Sequence, residues 1–275
     1  MTTKGEFSLR RVVVALDAAA DFAAAIEMAA SIAIAWSASL RALFVEDESL
    51  WRLASLPYAQ QVNAITALRD TVDEAELGAQ LKLLARRART DLARIAEGHS
   101  LSWTLERFRA AIGPDALSLG NDELLVISAK SRSSANALRL GSPWRRVLDQ
   151  VSQPFLLVPE RPTPRGPVAV LCDAASGGLD VLDASARIAR AGKRPLIVLT
   201  PEDLTQSQLD AAEDLVRSVD DHATVIRVPA GSHQALEKVV ASARATLLVM
   251  SRDRLVGDKA SAPDLISPSS ALLVL

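Results

Sequence analysis

The chain has 275 residues, of which 49% are hydrophobic and only 4% aromatic, and 31 Lys and Arg against 33 Asp and Glu leave a net charge of −2. So apolar a composition excludes a disordered chain, and the balanced charge argues against a general nucleic-acid surface, which would be strongly basic. The lone cysteine, Cys172, excludes an intrachain disulfide, a CxxC redox pair and a cysteine-rich zinc site.

Residues 1–7 lack the apolar core of a secretion signal, so a cytoplasmic location is expected. The first strand reads Arg11-Val-Val-Val-Ala-Leu-Asp17. An alanine-rich helix over 18–38 follows, with Phe22, Ile26, Ala29, Ala33 and Trp36 at helical spacing. Asp21 and Glu27 interrupt it, which excludes a membrane span. A strand over 40–45 leads into Glu46-Asp47-Glu48, read either as a metal-binding cluster or as a solvated acidic turn. Residues 50–72 carry Trp51, Leu53, Leu56 and Tyr58, more apolar surface than a free loop needs. They would cover a ligand crevice, meet a partner, or add packing to their own sheet. A helix over 73–97 sets Leu77, Leu81, Leu84 and Ala88 on one face, and strands over 101–108 and 123–128 come next.

From Ser128 to Leu148 the chain carries Lys130, Arg132, Arg139, Arg145 and Arg146 and no acidic residue. Within it, Gly141-Ser142-Pro143 opens a helix: Ser142 caps it, Pro143 suits its first turn, and Gly141 lets the backbone come close. Free N–H groups and the helix dipole make such a start an anion site. The alternative is an ordinary loop with a solvated basic face. Strand Phe155-Leu-Leu-Val158 then runs into Pro159-Glu-Arg-Pro-Thr-Pro-Arg-Gly-Pro167, whose four prolines read as a stiff linker.

Beyond the linker the chain repeats itself. Pro167-Val-Ala-Val-Leu-Cys-Asp173 matches the first strand, Thr246-Leu-Leu-Val-Met-Ser251 matches Glu123-Leu-Leu-Val-Ile-Ser128, and Ala271-Leu-Leu-Val274 matches Phe155-Leu-Leu-Val158. Three matches in one order indicate a duplication, with domains over 1–160 and 166–275, the first copy being longer ahead of its fourth strand. Between the matches lie a helix over 181–191 stopped at Gly192, a strand over 195–199 and a helix opened by Thr205 with Gln208 at capping-box spacing. A strand over 224–228 and a helix capped by Ser232 complete the set. Alternating strands and helices predict an α/β fold with parallel, doubly wound sheets, which bind ligands beyond the carboxyl ends of the strands where the order reverses. Asp17 and Asp173 each close a first strand. Asp17 reads either as an acceptor for a ligand hydroxyl or amine or as a helix cap.

The basic stretch resembles the phosphate loop of the universal stress protein family, Gly-x2-Gly-x9-Gly-(Ser/Thr). Here it reads Ser128-x2-Ser131-x9-Gly141-Ser142, with serines at both leading glycines. The resemblance extends over both halves. It implies two tandem domains, each a five-stranded parallel sheet in the order 3-2-1-4-5 flanked by helices, in a stress-response or signalling protein. It also implies ATP or another adenine nucleotide in the first domain. Asp17 would meet ribose or base, Val45 would line the adenine slot, and Ser128, Ser131, Gly141 and Ser142 would hold phosphate. Family members pair through their last strand, so Phe155-Leu-Leu-Val158 and Ala271-Leu-Leu-Val-Leu275 would make a pseudo-dimer within one chain.

The second copy departs further: no Gly-Ser helix start follows Ser251-Arg-Asp-Arg254 at the required distance, and Asp253 stands where phosphate would approach. It is expected to be degenerate and empty. The serines at 128 and 131 favour a different reading, an interaction module that kept the fold and serves an unknown protein partner. A third reading comes from Ser176-Gly-Gly-Leu-Asp180, which resembles the opening of the pyrophosphate loop of ATP pyrophosphatases, although Val181 replaces that motif's last serine. His99, His222 and His233 have no metal-ligand spacing, and Ser142 lacks a Gly-x-Ser-x-Gly context. No catalytic residue is expected, and at most a weak ATPase; neither nucleic acid nor membrane is expected as a partner.

Overall fold

The computed structural model describes residues 8–17, 22–56, 60–62, 69–71, 74–110, 117–129, 147–148, 150–159, 162, 165–172, 178–202, 204–220, 222–229, 233–253 and 270–275. Strand β1 (Arg11–Asp17) is apolar from Val12 to Leu16 because both of its faces are covered there. Val12, Val14 and Leu16 enter one core layer, and Val13 and Ala15 enter the other. Helix α1 (Phe22–Trp36) follows, then β2 (Ser39–Asp47) and the short α2 (Glu48–Ala54). A small hairpin pairs β3 (Gln60–Val62) with β4 (Arg69–Thr71). The half closes with α3 (Glu74–Gly98), β5 (Trp103–Ala110), β6 (Glu123–Ala129) and β7 (Phe155–Pro159). The second half contributes β8 (Val168–Leu171), α4 (Gly178–Ala191), β9 (Leu196–Pro201), α5 (Gln206–Val219), β10 (Thr224–Val228), α6 (His233–Ser242), β11 (Leu247–Met250) and β12 (Ala271–Val274).

All ten long strands form one sheet in the order β10-β9-β8-β11-β12-β7-β6-β1-β2-β5. Within each half this is 3-2-1-4-5 with every pairing parallel. The halves therefore do not stay as separate sheets. They fuse where β12 meets β7 antiparallel, with Leu272 opposite Leu157, Leu273 opposite Leu156 and Val274 opposite Phe155. Strands β7 and β8, on either side of the linker, are not neighbours.

One core layer holds α1, α3, α4 and Val216 of α5; the opposite one holds Leu117, Val147, Leu148, Val151 and α6. Helix α1 is buried on most of its circumference, since it packs on the sheet, on α3 and on α4. Its many alanines permit that close approach. Across the junction, Arg187 of α4 donates from Nε to the Ala35 carbonyl at 2.6 Å and sets its guanidinium 5.3 Å from the Trp36 ring. No helix among the described residues is long and apolar enough to cross a membrane.

One boundary and one cap need correction. Helix α4 starts three residues before the expected position 181, so Gly178 and Asp180 lie in its first turn. It ends not on a left-handed Gly192 but with Lys193 at φ 50°. Gly192 is needed for space instead, because a Cβ there would stand 2.8 Å from Arg194 Cδ.

Candidate functional site

Parallel strands put their carboxyl ends on one edge. At that edge β1 lies between β2 and β6, and the chain leaves β1 and β6 in opposite directions. After β1 it enters α1 on one face of the sheet, and after β6 it reaches Val147 and Leu148 on the other. This divergence makes the end of β1 the switch point of a doubly wound sheet, where ligands of such folds bind.

Three expected site residues belong to these strand ends. Asp17 closes β1 and is the register partner of Val45 on β2. Val45 is buried, and its neighbour Phe44 meets Phe22 of α1 edge-on with ring centroids 6.1 Å apart. Ser128 lies on β6, partly exposed, opposite Val158 of β7. Ser131, Gly141 and Ser142 lie outside the described residues, as do Asp173, Ser176 and Gly177.

The acidic run at the end of β2 divides: Glu46 turns into the protein, while Asp47 and Glu48 stay partly exposed. Glu46 is buried and accepts from Arg107 Nε at 2.8 Å. Asp47 caps α2 by accepting the Ser49 N–H at 2.9 Å, and Glu48 pairs with Arg52 at 3.0 Å. No group of three or more His, Cys, Asp or Glu could hold a metal among the described residues.

Helix α2 uses the apolar run after β2 unevenly: Trp51 packs inward, while Leu53 and Leu56 are exposed. Trp51 lies against Gly78 of α3, where a Cβ would come 3.3 Å from the ring, and the Arg109 guanidinium lies 4.6 Å from the ring centroid. The Trp51 Nε1–H is buried with no hydrogen-bond partner among the described residues. Sequence reasoning missed Arg107 and Arg109 because their partners sit on other elements, and no spacing rule connects them.

The second half differs at the matching edge. Leu171 pairs with Leu199, and carrying that register onward sets Thr200 and Pro201 where the first half has Phe44 and Val45. Thr200 is fully buried, with its hydroxyl unpartnered among the described residues. Arg252, just past β11, reaches across to the first half: Nη1 donates to the Val151 carbonyl at 2.9 Å and Nη2 to the Gln153 carbonyl at 2.5 Å. Burial holds its guanidinium below the ordinary arginine pKa.

No family model matches the sequence, and no curated protein does. Solved structures match over nearly the whole chain. A candidate universal stress protein from Pseudomonas aeruginosa UCBPP-PA14 is 16% identical, with a TM-score of 0.63 over 98% of this chain and 94% of that one. A universal stress protein from Archaeoglobus fulgidus DSM 4304 is 13% identical, with a TM-score of 0.65 over 98% and 96%. The cytoplasmic domain of a prokaryotic cation chloride cotransporter is 12% identical, with a TM-score of 0.55 over 97% and 95%. At these identities the likeness is one of fold: the chain is built as tandem-sized universal stress proteins are.

Proposed function

We propose that the chain is a nucleotide-responsive regulatory protein whose first half holds an adenine nucleotide, ATP in the first instance, beyond the ends of β1, β2 and β6. The observation that carries this reading is the register that sets Asp17 beside Val45 at the switch point, with Ser128 on the other flanking strand. Asp17 accepts from ribose or base, and Val45 lines the adenine slot. Ser128, Ser131, Gly141 and Ser142 hold the phosphates with the help of the cations of the 128–148 stretch. Serine hydroxyls at 128 and 131 donate where glycine amides would approach. The second half is degenerate and empty, a reading supported by Pro201 and the unsatisfied Thr200 at its matching edge. The protein acts through occupancy rather than turnover.

A second reading, an interaction module without nucleotide, is favoured by the same two serines and by the exposed Leu53 and Leu56 of α2. The Ser176–Asp180 motif has less support, since Asp180 belongs to an ordinary first helical turn.

Thermal melts with millimolar ATP, ADP and AMP separate the first two. A ligand that binds only the folded chain adds about 2.7 kcal/mol at about 100 times Kd. The shift is expected with wild type, is lost in Gly141→Asp, which sets a carboxylate against phosphate, and is kept in Asp173→Ala. No shift with any of the three nucleotides, together with a shift gained by Ser128→Gly/Ser131→Gly, would leave the interaction module standing.

A further inference from the structure

We infer that the two ends of the molecule are complementary faces on which a second copy of this chain docks head to tail, with α3 of one copy beside α5 of the next. The contact needs no bound ligand. Among the described residues the sheet ends at β5 on one side and at β10 on the other. Helix α3 flanks the first end and α5 the second. Both belong to the core layer that runs α3, α1, α4, α5 across one face of the sheet. They are equivalent elements of the duplication, each lying between the second and third sheet strands of its half.

Their exposed faces carry opposite charge. Between 82 and 94, α3 presents Lys82, Arg86, Arg87, Arg89 and Arg94 to solvent, against Asp91 alone. Asp91 already pairs with Arg94 at 3.9 Å, and Arg89 lies 5.3 Å from the Trp103 ring centroid. Lys82, Arg86 and Arg87 have no ion-pair partner among the described residues. Leu83 is 67% exposed, with Arg86 and Arg87 one helical turn on, so the strip offers apolar contact as well as charge. On and beside α5, the described residues Glu202, Asp210, Glu213, Asp214 and Asp220 stand against one cation of that segment, Arg217. Glu213 and Asp214 share it, at 3.0 and 3.1 Å. Exposed ion pairs are weak one at a time. Two matched faces of several charges act together once they approach within a Debye length.

The charges also select the geometry. Every pairing in the sheet is parallel except that of β12 with β7, so β5 and β10 run antiparallel to each other. A copy displaced along the sheet brings its β10 end antiparallel to β5 and its α5 beside α3, as α4 already lies beside α1 at the internal junction. Joining two β5 ends would set α3 against α3, and joining two β10 ends would set α5 against α5, like charge against like. An anionic surface laid on this face would meet α5 as well as α3, which makes it the poorer occupant. The contact is heterologous and leaves one free face of each sign, so it repeats as an open chain.

The test is sedimentation velocity of wild type, Arg86→Glu/Arg87→Glu and Asp210→Lys/Asp214→Lys at about 100 µM, in about 20 mM and about 500 mM salt. Each pair of reversals offsets the excess charge of one face and leaves the other intact. Wild type is expected to sediment above the mass of one chain at low salt and as one chain at high salt, with affinity falling at least about tenfold. Either variant by itself is expected to sediment as one chain at both. Their equimolar mixture is expected to stop at two chains at low salt, because only one intact α3 face and one intact α5 face remain to meet. Wild type that stays a single chain at low salt overturns the inference, as does association that a variant retains alone or a mixture that does not pair. Single chains that sediment with phosphatidylserine vesicles, unless Arg86 and Arg87 are reversed, assign the basic face to an anionic surface and overturn it too. Should a reversed variant not fold, Arg86→Gln/Arg87→Gln and Asp210→Asn/Asp214→Asn carry the same comparison.

Discussion

Ser37, Ser100, Lys193 and Arg244 follow α1, α3, α4 and α6 with φ of 53°, 55°, 50° and 51°, the left-handed region that glycine enters without cost. In each case the next residue donates back across the turn: Ala38 to Ala33, Leu101 to Ala96, Arg194 to Ala189 and Ala245 to Val240, at 2.8–3.0 Å. Four helices therefore close on the same motif with a side chain where glycine is usual. The expected ends of α3 at 97 and α4 at 191 fall within one residue of Gly98 and Ala191, but Gly192 drew the eye to the wrong capping residue. Ser37 and Ser100 are exposed, so replacing either by glycine removes strain without losing packing. Each substitution is expected to add up to about 1 kcal/mol, read as a higher urea midpoint at constant slope. Gly166 presents the opposite case. A Cβ there would lie 2.5 Å from the Arg244 carbonyl oxygen and 2.7 Å from Thr246 Cγ2. Its own carbonyl accepts from Arg194 Nε at 2.7 Å, so the linker cannot simply step aside. Gly166→Ala is expected to cost about 1–3 kcal/mol in the same assay.

At the scale of elements, the strands were the legible part. β1, β6, β7, β11 and β12 are covered on both faces, so they read as unbroken apolar runs that could be matched between copies. β5 lies at the end of the sheet and alternates partly buried with exposed residues, and it runs two residues past the expected position 108. Of the site, Asp17 at the end of β1 was readable, and Val45 was named through the family resemblance; the register sets the two side by side. The Glu46–Arg107 pair and the reach of Arg252 were not, because choices of partner between distant elements leave no period in the sequence. The last strands carry the clearest consequence. In β12, Ala271 to Val274 are at most 1% exposed, and the strand covers β7 on one side and β11 on the other. Deleting Leu272 to Leu275 uncovers both neighbours and frees Arg252 from the Leu275 carbonyl. Open apolar edges pair with whatever strand is available. The truncated chain is expected to dimerise or aggregate in light scattering at concentrations where the full chain stays monomeric. A monomeric truncation of unchanged stability would refute the edge argument.

The whole molecule raises the question of whether two copies unfold as two units or as one. Chains well beyond 150 residues often lose two-state behaviour, and a duplicated chain is a natural candidate for stepwise melting. The packing argues otherwise. A single apolar cluster contains α1, α3 and β7 residues from the first half together with α4, β8 and β12 residues from the second. Neither half can open without exposing Leu156 and Val158 or Leu273 and Ala271, which are almost completely buried. Fully burying one leucine or valine is worth about 1.5–3 kcal/mol, so stripping this junction costs a large part of any domain's net stability. Arg187 on one face and Arg252 on the other add hydrogen bonds that only the docked halves can make. The sequence supplies a convenient probe, since its four tryptophans, Trp36, Trp51, Trp103 and Trp144, all precede the linker. Tryptophan fluorescence therefore follows the first half, while far-ultraviolet circular dichroism follows both. In a urea titration the two signals are expected to change together, with one midpoint and one slope. A fluorescence midpoint separated from the dichroism midpoint would mean that the halves melt independently and that the shared core couples them only weakly. Arg187→Ala/Arg252→Met should then widen that gap, whereas in a truly single unit it lowers both midpoints together.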